Sequence, residues 1–273
     1  MGGGTITDSQ AIAAYLGFAQ ATLTALSAKR SALPIPRRFA RVAANVASLR
    51  ARTSPGGVAE FGVYKGYSIS RMARVSRKTK FVGFDSFRGF PEDGRVDWQQ
   101  DFSVIDQPKV PFNVTLVPGW FDETVRPYFK ANPAPLSTIH VDCDLYSSTK
   151  TVFDALGECG LLRPGLVVAF DELINYEGFL WNEMLAFHQM LERESLSAAP
   201  IYVAGKVRGV EETLALLEVA QHPTMRDDQD HRYFQQAVFV LRDTPLETQS
   251  APPDLVQQFL DLTIARGSTN LFA

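Results

Sequence analysis

Two hydrophobic rhythms divide the chain. From Ser9 to Lys29, an Ala/Leu-rich stretch, apolar residues recur every three to four positions and predict an amphipathic helix. Pro36 to Arg52 repeats the pattern, with Pro36 suited to a first helical turn, where its missing N–H removes no bond. Leu33 to Pro36 links the two. From residue 57 the rhythm changes. Short apolar runs (Gly57 to Gly62, Lys80 to Phe84, Asn113 to Val117, Thr138 to Val141, Leu166 to Phe170) alternate with helical stretches (Tyr67 to Arg77, Phe121 to Lys130, Ser147 to Gly157). Strand and helix in strict alternation mean parallel βαβ units and a doubly wound, Rossmann-like α/β fold.

Two later runs, Ile201 to Ala204 and Ala237 to Leu241, read as closing strands. The stretch between them, about 206–233, is too long for a plain hairpin and reads as an insertion or lid, helical over Glu211 to Ala220 and polar over Arg226 to His231. A last helix is expected from Pro253 to Ala265. The division that follows is an N-terminal helical cap (1–54), a core (55–245) carrying the insertion, and a C-terminal helix and tail (246–273). Apolar N-terminal helices cap a sheet, close over a ligand or form a homodimer surface; the sequence leaves these three open.

Composition narrows the function. A chain of 273 residues with 45% hydrophobic residues can bury roughly three quarters of its surface without staples. Its net charge of −3 argues against a nucleic-acid partner, which calls for a basic stripe. The two cysteines, Cys143 and Cys159, make neither a metal-ligand spacing nor a disulfide framework and suit a reducing cytoplasm. The Gly-rich N-terminus lacks the pattern of a signal peptide, and no run of 18 apolar residues occurs, so a cytoplasmic protein without a membrane span is expected. The sequon at Asn113 falls in a predicted strand and is read as chance.

Ligands of doubly wound sheets bind at the carboxyl ends of the strands, so chemistry is expected at the strand ends. The first end is Glu60-Phe61-Gly62-Val63-Tyr64-Lys65-Gly66-Tyr67-Ser68. Two glycines between strand and helix let a ligand approach the backbone and the helix N-terminus. The loop is neither the GxGxxG dinucleotide fingerprint nor a P-loop. Asp85, ending the next strand 19 positions beyond Gly66, suits a ribose diol, and the pair favours a nucleoside-bearing ligand. Asp142 and Asp144 end the fourth strand; Asp171 and Glu172 end the fifth. Carboxylates at adjacent strand ends repel one another and lose hydration, and a hard divalent cation such as Mg²⁺ relieves both costs. Helix capping by Asp144 or Ser147 is the plainer alternative.

These blocks, together with Gly83 to Pro91, Gly119 to Thr124 and His140 to Thr149, resemble those of class I S-adenosylmethionine methyltransferases of the macrocin O-methyltransferase type, over roughly residues 55–190. The resemblance implies a mostly parallel seven-stranded sheet with an antiparallel last strand. It implies a metal-assisted O-methyl transfer to a sugar hydroxyl of a small molecule or glycosylated natural product. Glu60, Gly62, Tyr64, Lys65 and Gly66 would hold the amino-acid end of S-adenosylmethionine, with Ser68 a carboxylate contact. Asp85 would take the ribose, with Ser86 beside it, and Gly119 and Trp120 would lie near the adenine. Asp142, Asp171 and Glu172 match metal positions; Asp142 also stands among the cofactor contacts. Asp144 remains open as ligand, cofactor contact or base.

The lysine base of catechol-type relatives is replaced here by Leu145. The base candidates are therefore Asp142, Asp144 and His188, while His140 is expected to be structural. The aromatic stretch from Asn175 to Glu183 either stacks on a sugar or packs the core. Beyond residue 195 the chain departs from the family pattern, so substrate choice is expected there and in the N-terminal helices. Two other readings remain. One is an NAD or nucleotide-sugar oxidoreductase, which the missing GxGxxG and Tyr-Lys pair disfavour. The other is a catalytically inactive S-adenosylmethionine-binding protein.

Overall fold

Every run read as a strand forms one, in a single sheet. The computed structural model describes residues 9–29, 55–91, 102–104, 106–176, 178–218, 233–247 and 249–266. The strands are β1 (Gly57–Phe61), β2 (Phe81–Asp85), β3 (Val114–Pro118), β4 (Leu136–Val141), β5 (Val167–Phe170), β6 (Ser197–Gly205) and β7 (Tyr233–Arg242). Their order is β3-β2-β1-β4-β5-β7-β6. The first five run parallel, and β7 lies antiparallel to both β5 and β6. The order reverses between β1 and β4, the switch point where such sheets bind ligands.

The helices are α1 (Ser9–Ala28), α2 (Tyr67–Val75), α3 (Phe121–Ala131), α4 (Tyr146–Glu158), α5 (Glu183–Arg193), α6 (Val210–Glu218) and α7 (Pro253–Ala265). The expected helix Pro36 to Arg52 and the polar part of the insertion lie outside the described residues. Alternation along the strands sorts the two faces. Ala59, Phe61, Ile139, Val141, Val168 and Phe170 join the main core beneath α1, α3, α4 and α5. Val58 and Phe81 pack under α2 on the opposite face, in a smaller cluster with Ile69 and Met72. Glu60, Thr138 and His140 share that second face and are fully buried.

α1 is long and apolar enough to cross a membrane by length and composition, unlike the expectation from the run count. Half of its apolar window is buried, and it packs against β6, α5, α6 and α7. Tyr15 and Leu16 are wholly covered, and the Tyr15 hydroxyl donates to the Leu180 carbonyl at 2.5 Å. The apolar face of this helix is therefore used within the chain. The stretch 175–183 resolves the same way. Tyr176, Phe179 and Trp181 are buried; Trp181 stacks on Phe259 at 4.7 Å and donates from Nε1 to Thr263 Oγ1 at 2.8 Å. These rings pack the core rather than face an acceptor; Glu177 lies outside the described residues.

Candidate active site

Gly62 must be glycine. Its φ is +91°, and a Cβ there would run into the Asp142 carbonyl. The bare backbone lets the ends of β1 and β4 close on each other, while Asp142 N–H donates to the Phe61 carbonyl at 2.9 Å. The chain then turns through Val63, whose carbonyl accepts from Gly66 N–H at 2.8 Å, and enters α2 from Gly66 at φ +72°. This turn leaves the first N–H groups of α2 beside the sheet edge, suited to an anionic ligand group.

Asp85 fastens the loop to β2. Its Oδ2 accepts from the N–H groups of Val63 (2.7 Å) and Tyr64 (2.6 Å), and Oδ1 accepts from Phe87 N–H (2.6 Å). Three backbone donors hold this carboxylate fixed. Ser86 bridges the next turn, accepting from Arg88 N–H and donating to the Gly89 carbonyl.

One pocket of about 310 Å³ opens over these strand ends. It is lined by Gly62, Tyr64, Lys65, Ser68, Asp85, Ser86, Gly119, Trp120, Asp142, Asp144, Asp171 and Glu172, all of them expected from sequence. Three expected residues are not in its wall. Gly66 sits behind it as the helix cap. Glu60 is fully buried, with Oε1 2.8 Å from His140 Nδ1, so it supports the loop from below rather than facing a ligand. His188 packs between Tyr15 (5.3 Å) and Phe18 (4.9 Å), 1% exposed, away from the pocket. Burial pushes its pKa down to about 4, and the geometry removes it as a base candidate.

Sequence reasoning missed several residues. Phe90 and Phe102 join Tyr64 in an aromatic corner of the pocket, with centroids 4.9 Å and 5.3 Å apart. Gln236 on β7 donates from Nε2 to Asp171 Oδ1 at 2.6 Å. Its signal was a polar pair, Gln235-Gln236, opening an apolar strand. His140 Nε2 faces the same oxygen at 4.0 Å. A polar row thus crosses four adjacent strands: Glu60, His140, Asp171, Gln236.

The three carboxylates expected to hold a cation, Asp142, Asp171 and Glu172, line one pocket wall. Hard oxygen donors in that setting suit Mg²⁺. They do not converge as closely as a second set. Among the described residues, the donor atoms within 4.8 Å of one another belong to Glu60, His140 and Asp142. In that set Glu60 and His140 already bond to each other, and Asp171 is drawn towards Gln236.

Residues 59–173 match the family model described as "Methyltransferase domain". The segment that builds the pocket, from β1 to just past β5, is thus the part of the chain similar to a methyltransferase domain, and an oxidoreductase is not favoured. Among solved structures, the chain is similar to CalS11, a calicheamicin methyltransferase, at 25% identity over 66% of this chain and 86% of that one, with a TM-score of 0.48. It is similar to the O-methyltransferase TomG from Streptomyces achromogenes, involved in tomaymycin synthesis, at 17% identity over 86% and 90%, with a TM-score of 0.46. An O-methyltransferase from Bacillus cereus, in complex with SAH, aligns at 14% identity over 83% and 90%, with a TM-score of 0.45. No curated protein matches the chain.

Proposed function

We propose that this protein is an S-adenosylmethionine-dependent O-methyltransferase of the macrocin type, acting on a sugar hydroxyl of a small molecule. The observation that carries the reading is the pocket itself. It joins a glycine turn at a helix N-terminus, an Asp85 held by three backbone N–H groups and an acidic wall at one switch point. The turn and Ser68 would take the methionine end of the cofactor. Asp85 keeps acceptor capacity for the ribose beyond the amides it holds, and Gly119-Trp120 flanks the adenine side.

A hydroxyl is a poor nucleophile while it holds its proton. Asp142, Asp171 and Glu172 would hold a divalent cation, which lowers the pKa of a bound hydroxyl and aligns it. Asp144, 9% exposed and in the pocket wall, is the base that takes the proton. Its carboxylate is in reach of the same wall, whereas His188 is not. The sulfonium is positive and the incoming alkoxide negative, so the transition state disperses charge and gains most from alignment.

The test is turnover on a panel of nucleotide sugars and aryl glycosides, read as release of S-adenosylhomocysteine. The expected result is turnover on at least one acceptor, abolished by chelator and restored by Mg²⁺. Cofactor binding with chelator-independent turnover overturns the cation, and no cofactor binding overturns the whole reading.

A further inference from the structure

β7 grips the exit of β5 through three hydrogen bonds. The N–H groups of Leu173 and Ile174 both donate to the Gln235 carbonyl of β7, at 2.8 and 3.2 Å. Phe170 pairs with Ala237, so Gln236 stands one step further on, beside Asp171, and its Nε2 donates to Asp171 Oδ1 at 2.6 Å. On the other side, Asp171 N–H donates to the Val141 carbonyl of β4 at 3.0 Å. The backbone that carries Asp171 and Glu172 is thus pinned by both neighbouring strands, and the Asp171 carboxylate is pinned by a side chain. Gln236 is 5% exposed and heads the buried apolar run Ala237 to Phe239. A buried amide costs free energy unless it is bonded, and an apolar residue would extend the run without that cost, so the amide needs a reason. His140 Nε2 faces the same oxygen, but at 4.0 Å it lies outside hydrogen-bond reach. Asp171 is a quarter exposed and lines the pocket, while Gln236 stands behind that wall.

We infer that Gln236 is a positioning residue: it occupies one oxygen of Asp171 and leaves the other as the single ligand atom that this residue offers to the pocket. The inference rests on the reading of Asp171 as part of a cation site, but the hydrogen bond itself does not. A carboxylate restricted to one oxygen suits a small six-coordinate cation, Mg²⁺ or Mn²⁺. It disfavours Ca²⁺, which takes more ligands and accepts carboxylates through both oxygens. Gln236 therefore sets the choice of cation without touching cation, cofactor or acceptor. It does so from a strand that lies outside the methyltransferase-like segment 59–173.

The probes are Mn²⁺, titrated into the intact protein and read by electron paramagnetic resonance, and Ca²⁺, read by its displacement of Mn²⁺. Gln236→Met keeps the side-chain length and removes the donor. It should weaken Mn²⁺ binding about tenfold and change Ca²⁺ binding by less than about twofold, so the preference for Mn²⁺ falls at least about fivefold. A loss of packing alone would weaken both ions alike. Gln236→Asn, one methylene too short to reach, should match Gln236→Met in this preference and stands in for it if the Met variant does not fold. An unchanged preference in a variant that folds, equal weakening of both ions, or failure of both variants to fold overturns the inference. Asp171→Asn separates it from the reading beneath. Wild-type Mn²⁺ binding that Asp171→Asn leaves intact removes Asp171 from the cation site, and no Mn²⁺ binding by the wild type removes the site. Either result overturns the inference together with that part of the proposed function. Binding abolished by Asp171→Asn but untouched by Gln236→Met overturns the inference alone.

Discussion

His140 Nδ1 and Glu60 Oε1 lie 2.8 Å apart, with neither side chain exposed, at paired positions of β4 and β1. Two strands that meet at the switch point are tied by a polar pair inside the sheet face. Removing one partner leaves the other buried and unpaired. Glu60→Ala and His140→Ala should each lower the unfolding free energy by about 3 kcal/mol, and the double variant by clearly less than the sum. Urea unfolding of the four proteins measures this; additive losses would contradict it.

Gly62→Ala should be worse than an ordinary surface change. The new Cβ meets a backbone carbonyl that cannot swing away, at a φ that alanine avoids. A loss of about 2 kcal/mol of stability or more is expected, with S-adenosylhomocysteine affinity falling as the strand ends part. Calorimetric titration and thermal melting read both; unchanged affinity would show that the closure of β1 on β4 does not shape the site.

His188 makes stability depend on acid. Its folded pKa of about 4 lies below the unfolded value of 6.5, so the unfolded chain binds the extra proton. The contribution of the buried neutral ring is therefore fully present above pH 6.5. It is lost as pH falls from 6.5 to about 4, by about 3 kcal/mol in all. Glu192, 3.6 Å from Nε2, is half exposed and offsets little of it. In urea titrations at stepped pH, His188→Phe should flatten this part of the profile, and an unaltered slope would count against the assignment.

Trp181 is expected to act through the core. Trp181→Ala should cost about 3–5 kcal/mol, because the indole stacks on Phe259 and bonds Thr263. Trp181→Phe should keep acceptor KM unchanged. A large KM effect without loss of stability would instead return this ring to the acceptor site.

The sheet was legible because parallel strands buried on both faces read as short apolar runs between helical stretches. Most of the pocket wall followed, since topology fixes which strand ends meet, and Asp85, Asp142, Asp144, Asp171 and Glu172 fall there together. What linear spacing does not carry is which side of the backbone a residue serves. Glu60 begins the glycine loop but its side chain belongs to the His140 face. His188 follows β5 closely, yet its helix turns it towards α1. Gln236 was hidden because it becomes meaningful only once β7 is packed beside β5.

The central claim is that the pocket over β1, β2 and β4 binds S-adenosylmethionine. Isothermal titration of the intact protein with S-adenosylhomocysteine tests it most directly. The account predicts one site per chain with micromolar affinity, weakened at least about tenfold by Asp85→Ala, which removes both the ribose acceptor and the tether of the glycine loop. No heat of binding in the folded wild-type protein, or binding indifferent to Asp85→Ala, would contradict it.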